Sequence, residues 1–344
     1  MTLHSSTNPS ADAEPHITAT SHLDWQNIQR AAGNIDPSFT NTPLVAQPTL
    51  DEALGCRLTL KVETLGPLRS FKGRGADWYL QGPQPDPDRV LVTASAGNFG
   101  QAVAYAGARL QRRVVVFSAV KANPLKVAAM RRWGAHVELV GADFDAAMGA
   151  AVRHAEDTGA ELIVDGAHSR LSEGAGTIAY ELVEQHPGAP LANVVVPLGN
   201  GALVGGVGSW LRHAWPTTRV TAVVAAGAPA MARSWRARTA VETTSVNTIA
   251  DGIAIRIPVP YALEVMRGCV DEVVEVEDHH VVTAMRLVHR HLGLVAEPAG
   301  VAGIAAIVAD PAKFQGQDVG SILCGANIDP SREQEYLFGD APAR

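Results

Sequence analysis

Short apolar runs alternate with helical patterns along most of this chain, and that rhythm most restricts how it can fold. "RVLVTA" (89–94) reads as a strand, "SAGNFG" as a turn, and "GQAVAYAGARL" as a helix. "RRVVVFSA" (112–119) is the next strand, and "NPLKVAAMRRWG" is a helix closed by Gly134. "HVELVG" (136–141) is followed by "FDAAMGAAVRHAEDTG", with Gly159 just past the helix end. "ELIVD", "NVVVPLG" (193–199) and "RVTAVVAA" (219–226) supply further strands. Strand, helix, strand in this order predicts a parallel sheet covered by helices, an α/β fold. A run as uniformly apolar as "NVVVPL" predicts burial on both faces. No period of 20–50 residues marks a repeat architecture. With 344 residues the chain has room for two domains. The expected division is a large domain of 23–88 and 160–344, with a small domain of 89–159 set into it and the site between them. Residues 1–22, rich in Ser, Thr and Pro, are expected to be a disordered tail.

Composition removes several function classes. Apolar residues make up 47% and charged residues 18%, enough for a large core and too apolar for global disorder. A net charge of −7 without a long basic run argues against nucleic acid as a partner. The three cysteines, Cys56, Cys269 and Cys324, form no CxxC pair, which suits a reducing compartment and provides no disulfide framework. His279 and His280 are adjacent, and neither an HExxH nor a Cys/His cluster occurs, so no metal site is expected. The start of the chain lacks the basic and apolar stretches of a signal peptide, and no apolar run reaches transmembrane length. A cytoplasmic protein without membrane contact is expected.

Several loops can carry chemistry. In "VVVPLGNGALVGGVG" (194–208), Gly199, Gly201, Gly205 and Gly206 let backbone approach a ligand, and free N–H groups at a helix start favour phosphate. A glycine-rich turn or a helix-packing site accounts for the same residues about as well. In "TASAGNFGQAV" (93–103), Ser95, Gly97 and Asn98 can bind a carboxylate or simply cap a helix. Lys72, one of five lysines among 28 basic residues, lies in "RSFKGRG" (69–75). A Schiff-base lysine needs a depressed pKa, which burial and nearby cations such as Arg69 and Arg74 supply; a solvated surface lysine is the alternative. Cys324 ends the apolar strand of "ILCGANID" (322–329), and a buried packing role explains it as well. Glu297 precedes an Ala-rich helix, where an acid needs no function. No GxGxxG follows the first strand, against a dinucleotide fold.

Taken in order, "NTPLV" (41–45), "LTLKVETLGPLRSFKGRGA", "TASAGNFGQAVAYAGARL", "NPLKVAAMRRWGAHVELVG", "EGAGTIAYEL", "VVVPLGNGALVGGV", "DGIAI", "VAEPAGVAGIAAI" and "ILCGAN" resemble the fold-type II (tryptophan synthase β-like) pyridoxal phosphate enzymes of the threonine/serine dehydratase family. The resemblance covers nearly all of the chain after the tail. It implies two parallel-type β/α domains with the active site between them, and pyridoxal 5′-phosphate as cofactor. It implies that Lys72 carries the cofactor's Schiff base, that Phe71 lies against the ring, and that Asn98 hydrogen-bonds the 3′-oxygen. Gly199, Asn200, Gly201, Ala202 and Leu203 would cradle the phosphate, and Cys324 would face the pyridine nitrogen. Ser95, Ala96, Gly97, Asn98, Phe99 and Gln101 would hold the substrate carboxylate. A neutral thiol opposite the nitrogen, in place of a carboxylate, favours loss of a β-leaving group over transamination.

The departures from the family pattern are informative. Asn200 interrupts a loop that is usually four glycines. Phe99 replaces a common histidine and makes the pocket more apolar. Ala96 stands where serine racemases carry a serine, which argues against racemisation. Ala225 stands where metal-dependent relatives carry a glutamate. With the chain ending soon after "ILCGANID", the regulatory domain of biosynthetic threonine deaminases is not expected. The resemblance therefore implies an ammonia-lyase that converts a β-hydroxy-α-amino acid, by default L-threonine or L-serine, to a 2-oxo acid and ammonia through an aminoacrylate. Phenylserine, hydroxyaspartate and a β- or γ-replacement reaction remain alternatives. A homo-oligomer, dimer or tetramer, is expected.

Overall fold

Among the described residues the apolar runs form ten strands in two sheets. They are β1 (Leu44–Val45), β2 (Arg57–Val62), β3 (Leu91–Ala94), β4 (Val114–Ser118), β5 (His136–Leu139), β6 (Glu161–Leu162), β7 (Asn193–Pro197), β8 (Arg219–Ala225), β9 (Glu272–Val276) and β10 (Asp318–Leu323). The computed structural model describes residues 23–339 apart from 84, 85 and 87, so the tail expected over 1–22 lies outside the described residues.

The larger sheet has the order β1-β2-β10-β7-β8-β9, and the smaller one β5-β4-β3-β6. Only the β1–β2 pairing is antiparallel; the others are parallel. The chain leaves the large sheet after β2, builds the small sheet, and returns at β7. Its last strand, β10, then inserts between β2 and β7, with Asp318 opposite Arg57 and Leu323 opposite Val62. This late insertion pairs an early strand with the last one. The small sheet takes in β6, two residues past the expected 89–159 segment. The run read as strand "ELIVD" ends at Leu162, which releases Asp165 into a loop.

Burial explains the strand sequences. Val194 and Val196 belong to a cluster on one face of the large sheet, with the helices Ser169–Gln185 and Ala202–Ala214. Val195 joins Val223, Val319 and Leu323 in a cluster on the opposite face, under the helices Asp278–Leu292 and Ala302–Ala309. Successive residues thus point to opposite cores, so Val194, Val195 and Val196 are all apolar. Each such aliphatic side chain contributes roughly 1.5–3 kcal/mol on burial.

One cluster against the small sheet joins Leu91, Val114, Val116 and Val137 with Phe99, Ala102 and Val103 of the helix Asn98–Arg109. It also takes in Ala31, Phe39, Leu68 and Trp78 from the N-terminal segment. The small sheet therefore shares its core with residues of the N-terminal segment and with the helix Lys72–Leu80.

Within the Ala202–Ala214 helix, Gly206 packs against Ser169–Gln185. A Cβ there would lie 2.0 Å from the Ser172 carbonyl oxygen. The four glycines of 199–206 therefore divide by role. Gly199 and Gly201 line the cavity described below; Gly205 and Gly206 do not, and serve helix packing.

Candidate active site

The reactive side chains leave the carboxyl ends of parallel strands, where an α/β sheet opens to ligands. β2 leads to Lys72, β3 to Ser95–Asn98, β6 to Asp165, β7 to Gly199–Gly201, and β10 to Cys324. The β2–β10 ladder continues past the strand ends. The Glu63 amide donates to the Leu323 carbonyl at 3.0 Å, Phe71 to the Cys324 carbonyl at 3.1 Å, and Ala326 to the Arg69 carbonyl at 2.9 Å. Ser70 forms an antiparallel bridge with Gly325. This pairing holds the lysine segment against the cysteine segment.

A cavity of about 470 Å³ lies at this junction. Phe71, Lys72, Ser95, Ala96, Gly97, Asn98, Phe99, Gly199, Asn200, Gly201, Ala202, Leu203 and Cys324 all line it. Gln101 does not; it is buried one turn into the helix that begins at Asn98. The expected substrate contact at Gln101 is therefore a helix-core position, because the turn after β3 already faces the cavity with residues 95–99.

Lys72 opens its helix, and its Nζ donates to the Asp165 carboxylate at 2.6 Å. The amine sits 4.7 Å from the Phe71 ring centre and 5.8 Å from that of Phe99. Asn200, the departure in the glycine loop, donates to the same Asp165 oxygen at 3.2 Å. The cations expected beside Lys72 are elsewhere. Arg69 turns through a left-handed conformation at φ 49° and lines no part of the cavity. Arg74 is fully buried and committed to two carboxylates. Its Nε donates to Glu63 at 2.7 Å and its Nη1 to Glu181 at 2.7 Å. Lys61, equally buried, donates to Glu181 at 2.7 Å. Burial works against the Glu181 carboxylate, but hydrogen bonds from Arg74 and Lys61 outweigh it and hold its pKa at about 2. The charged neighbour of Lys72 is an anion, Asp165.

Asn98 is fixed from both sides. Its Nδ2 donates to Glu297 Oε1 at 2.7 Å, and its Oδ1 accepts from Asn327 Nδ2 at 2.8 Å. Glu297 also accepts from the Asn327 amide at 3.1 Å. Burial pushes the Glu297 carboxyl up to about 7, partly offset by Lys126 and these hydrogen bonds. Lys126 bonds Asp251 at 2.8 Å. Burial opposes its ammonium, but Asp251 and Glu297 outweigh this and raise its pKa. Ser95 Oγ accepts from the amides of Gly97 (3.2 Å) and Gly100 (2.9 Å), so it caps the helix while lining the cavity. Cys324 is buried, with Sγ 3.7 Å from the Ala299 carbonyl, and burial together with Glu297 keeps it a neutral thiol.

Sequence reasoning missed Asp165, Lys126 and Asp251, and explained Glu297 as a helix-start acid. All four line the cavity. The segments holding Lys126, Asp251 and Glu297 had been singled out by resemblance. Only their convergence shows that these side chains face one space.

The residues fit pyridoxal phosphate. The Ala202–Ala214 helix starts without a side-chain cap, so its first N–H groups are available to an anion. Gly201 before it takes φ 96°, and a Cβ there would meet Ala262 Cβ at 2.6 Å. A cradle of this shape with a lysine amine and a neutral buried thiol in the same cavity suits a phosphorylated aromatic aldehyde.

Known proteins agree with this arrangement. The family model described as "Pyridoxal-phosphate dependent enzyme" matches residues 35–325. An L-threonine ammonia-lyase of Geobacter sulfurreducens is 32% identical, over 89% of this chain and 76% of that protein. A serine racemase of Oryza sativa subsp. indica is 30% identical, over 95% of this chain and 96% of that protein. The structure of processed threonine deaminase isoform 2 from Solanum lycopersicum superposes with a TM-score of 0.84 at 26% identity, covering 98% of this chain and 99% of that one. The fold is that of the fold-type II enzymes, and the chain belongs to the pyridoxal-phosphate dependent enzyme family.

Proposed function

We propose that this enzyme is an ammonia-lyase that converts L-threonine or L-serine to a 2-oxo acid and ammonia. The observation that carries this reading is the neutral, buried Cys324 thiol in the same cavity as the Lys72 amine and the uncapped Ala202 helix start. Bound pyridoxal phosphate supplies an electron-withdrawing ring that acidifies the substrate's α-proton. Lys72 would hold the cofactor and, as a free amine, would take the α-proton at Nζ. Asn98, braced by Glu297 and Asn327, orients the ring edge. The Ser95–Gly97 loop receives the carboxylate, and Gly199–Leu203 receives the phosphate. Cys324 would offer the ring nitrogen a neutral partner, a setting that would favour loss of the β-hydroxyl over transamination. Ala96, which has no hydroxyl to protonate the second face, supports elimination over racemisation.

A bulkier β-hydroxy amino acid is the second reading, favoured by Phe99 and Phe144 on the cavity wall. The reading includes two working units, 89–159 against 23–88 with 160–344, supported by the two sheets flanking one cavity. It also includes a reducing, cytoplasmic setting, supported by three buried free cysteines, and a homo-oligomer, supported by apolar Leu65 and Phe338 at the surface. Among the described residues no helix is long and apolar enough to cross a membrane. The test is incubation of the cofactor-loaded enzyme with L-threonine, L-serine, phenylserine and 3-hydroxyaspartate, measuring 2-oxo acid and ammonia. Equimolar products from threonine or serine are expected. Turnover that requires an added thiol or phosphate donor would instead establish a replacement reaction, and no product from any substrate would overturn the reading.

A further inference from the structure

Asp165 is the carboxylate against the reactive amine. It lines the cavity, and its side chain is only 15% exposed. Its Oδ2 accepts from Lys72 Nζ at 2.6 Å and from Asn200 Nδ2 at 3.2 Å. Its Oδ1 bonds none of the described residues. The loop after β6 holds it firmly. Gly166, the next residue, takes φ 81° and packs against the glycine loop, where a Cβ would lie 2.5 Å from the Asn200 carbonyl oxygen.

Lys72 cannot serve as its cation throughout the reaction. A lysine that takes a proton from carbon must first be a neutral amine. At that stage no cation of the cavity faces Asp165. The other two among the described residues are held elsewhere, Lys126 by Asp251 and Arg256 by Asp145. A mostly buried carboxylate left with one amide donor is costly. The missing charge has to come with the substrate, and reach decides where it sits. The base must come within about 3–3.5 Å of the substrate's reacting atoms. Asp165 Oδ2 is 2.6 Å from that base. The α-carbon therefore lies within about 6 Å of the carboxylate, the span of a group carried on the neighbouring β-carbon.

We propose that Asp165 gives this enzyme a further activity, elimination of ammonia from α-amino acids that carry an ammonium group on the β-carbon, of which 2,3-diaminopropionate is the simplest. The proposal rests on the ammonia-lyase reading above and extends it from a β-hydroxyl to a β-ammonium. The ammonium binds against Asp165. Lys72 takes the α-proton at Nζ and becomes a cation. The electron pair of the broken Cα–H bond forms the Cα–Cβ double bond as the Cβ–N bond breaks. The nitrogen keeps that bond's electron pair and departs as neutral ammonia. Asp165 then passes from the substrate's cation to that of Lys72, so it has one cation before and after the step. A β-hydroxyl must be given a proton to leave as water, and it brings no charge to Asp165. Hydrolysis of the product completes the balance: one 2,3-diaminopropionate and one water yield pyruvate and two ammonia.

Binding is tested first, without turnover. 2,4-Diaminobutyrate and homoserine differ only in an ammonium or a hydroxyl on the γ-carbon, and neither has a β-leaving group. Calorimetry on the cofactor-loaded protein should show the diamine held at least about tenfold tighter, the worth of one charge-assisted hydrogen bond. Asp165→Asn should remove that preference, with cofactor occupancy and Tm as the check on folding, and Asp165→Glu should keep part of it. In turnover, 2,3-diaminopropionate should release two ammonia for each 2-oxo acid, with kcat/KM at least about tenfold above that of L-serine. Equal binding of the two probes by wild type would overturn the proposal, and this result needs no variant. A folded, loaded Asp165→Asn protein that still prefers the diamine would do the same, as would a wild type that releases no ammonia from 2,3-diaminopropionate. Failure of the lyase reading is separate: it appears as no 2-oxo acid from L-threonine or L-serine.

Discussion

Replacing Glu297 by Gln tests the electrostatics under the site. The Glu297 carboxyl rises from an ordinary value of 4.5 to about 7, chiefly because it is buried. Folding then favours its protonated form. The stabilisation is fully present below the unfolded value of 4.5 and is lost as pH rises through about 7. A displacement of that size is worth about 3 kcal/mol in total, and about 2.5 kcal/mol of it falls between about pH 5 and about pH 8. Glutamine has no proton to lose, so the variant escapes this loss. It keeps the acceptor for Asn98 Nδ2 but must present an amide to the Asn327 N–H, which costs about 1 kcal/mol at every pH. Glu297→Gln should therefore be less stable than wild type near pH 5 by about 1 kcal/mol, and more stable near pH 8 by about 1.5 kcal/mol. The assay is urea unfolding of both cofactor-loaded proteins at the two pH values. Taking the difference cancels the titrations they share. A stability difference that does not move between the two pH values would refute the buried-acid reasoning.

Lys72→Ala should lose 2-oxo acid production and the borohydride-stable attachment of cofactor to protein; attachment at another lysine would reassign the anchor. Cys324→Ser should keep elimination with modest change, because both groups are neutral hydrogen-bonding partners. Cys324→Asp should suppress elimination and yield some pyridoxamine phosphate, read by product ratio alongside cofactor occupancy and Tm. A folded, loaded Asp variant with unchanged elimination would remove Cys324 from the chemistry. Arg74→Met leaves Glu63 and Glu181 without their shared guanidinium and should cost about 3–5 kcal/mol in denaturant unfolding; a loss under about 1 kcal/mol would show that Lys61 alone compensates.

The sequence by itself determined the α/β architecture and the local part of the site. Runs such as "VVV" (194–196) are apolar at every position because each face of the sheet meets its own core. Lys72, Ser95–Asn98, Gly199–Gly201 and Cys324 were picked out by the order of the motifs around them, and all but Lys72 lie close behind a strand, where loop and helix start form from neighbours in the chain. The fate of the charges was decided by tertiary structure. Arg74 stands two residues from Lys72, yet its partner Glu181 lies 107 positions away and draws it from the site. Glu297 matches a helix-start acid in sequence; burial in the folded chain raises its carboxyl, and Asn98, from 199 positions away, hydrogen-bonds it and partly offsets that rise. Lys126 and Asp251 meet across 125 positions. Hydrophobic periodicity is repeated at every turn of the chain and survives in one dimension. A charge takes its pKa and its role from the few atoms within about 4–6 Å of it, and those are chosen by the fold.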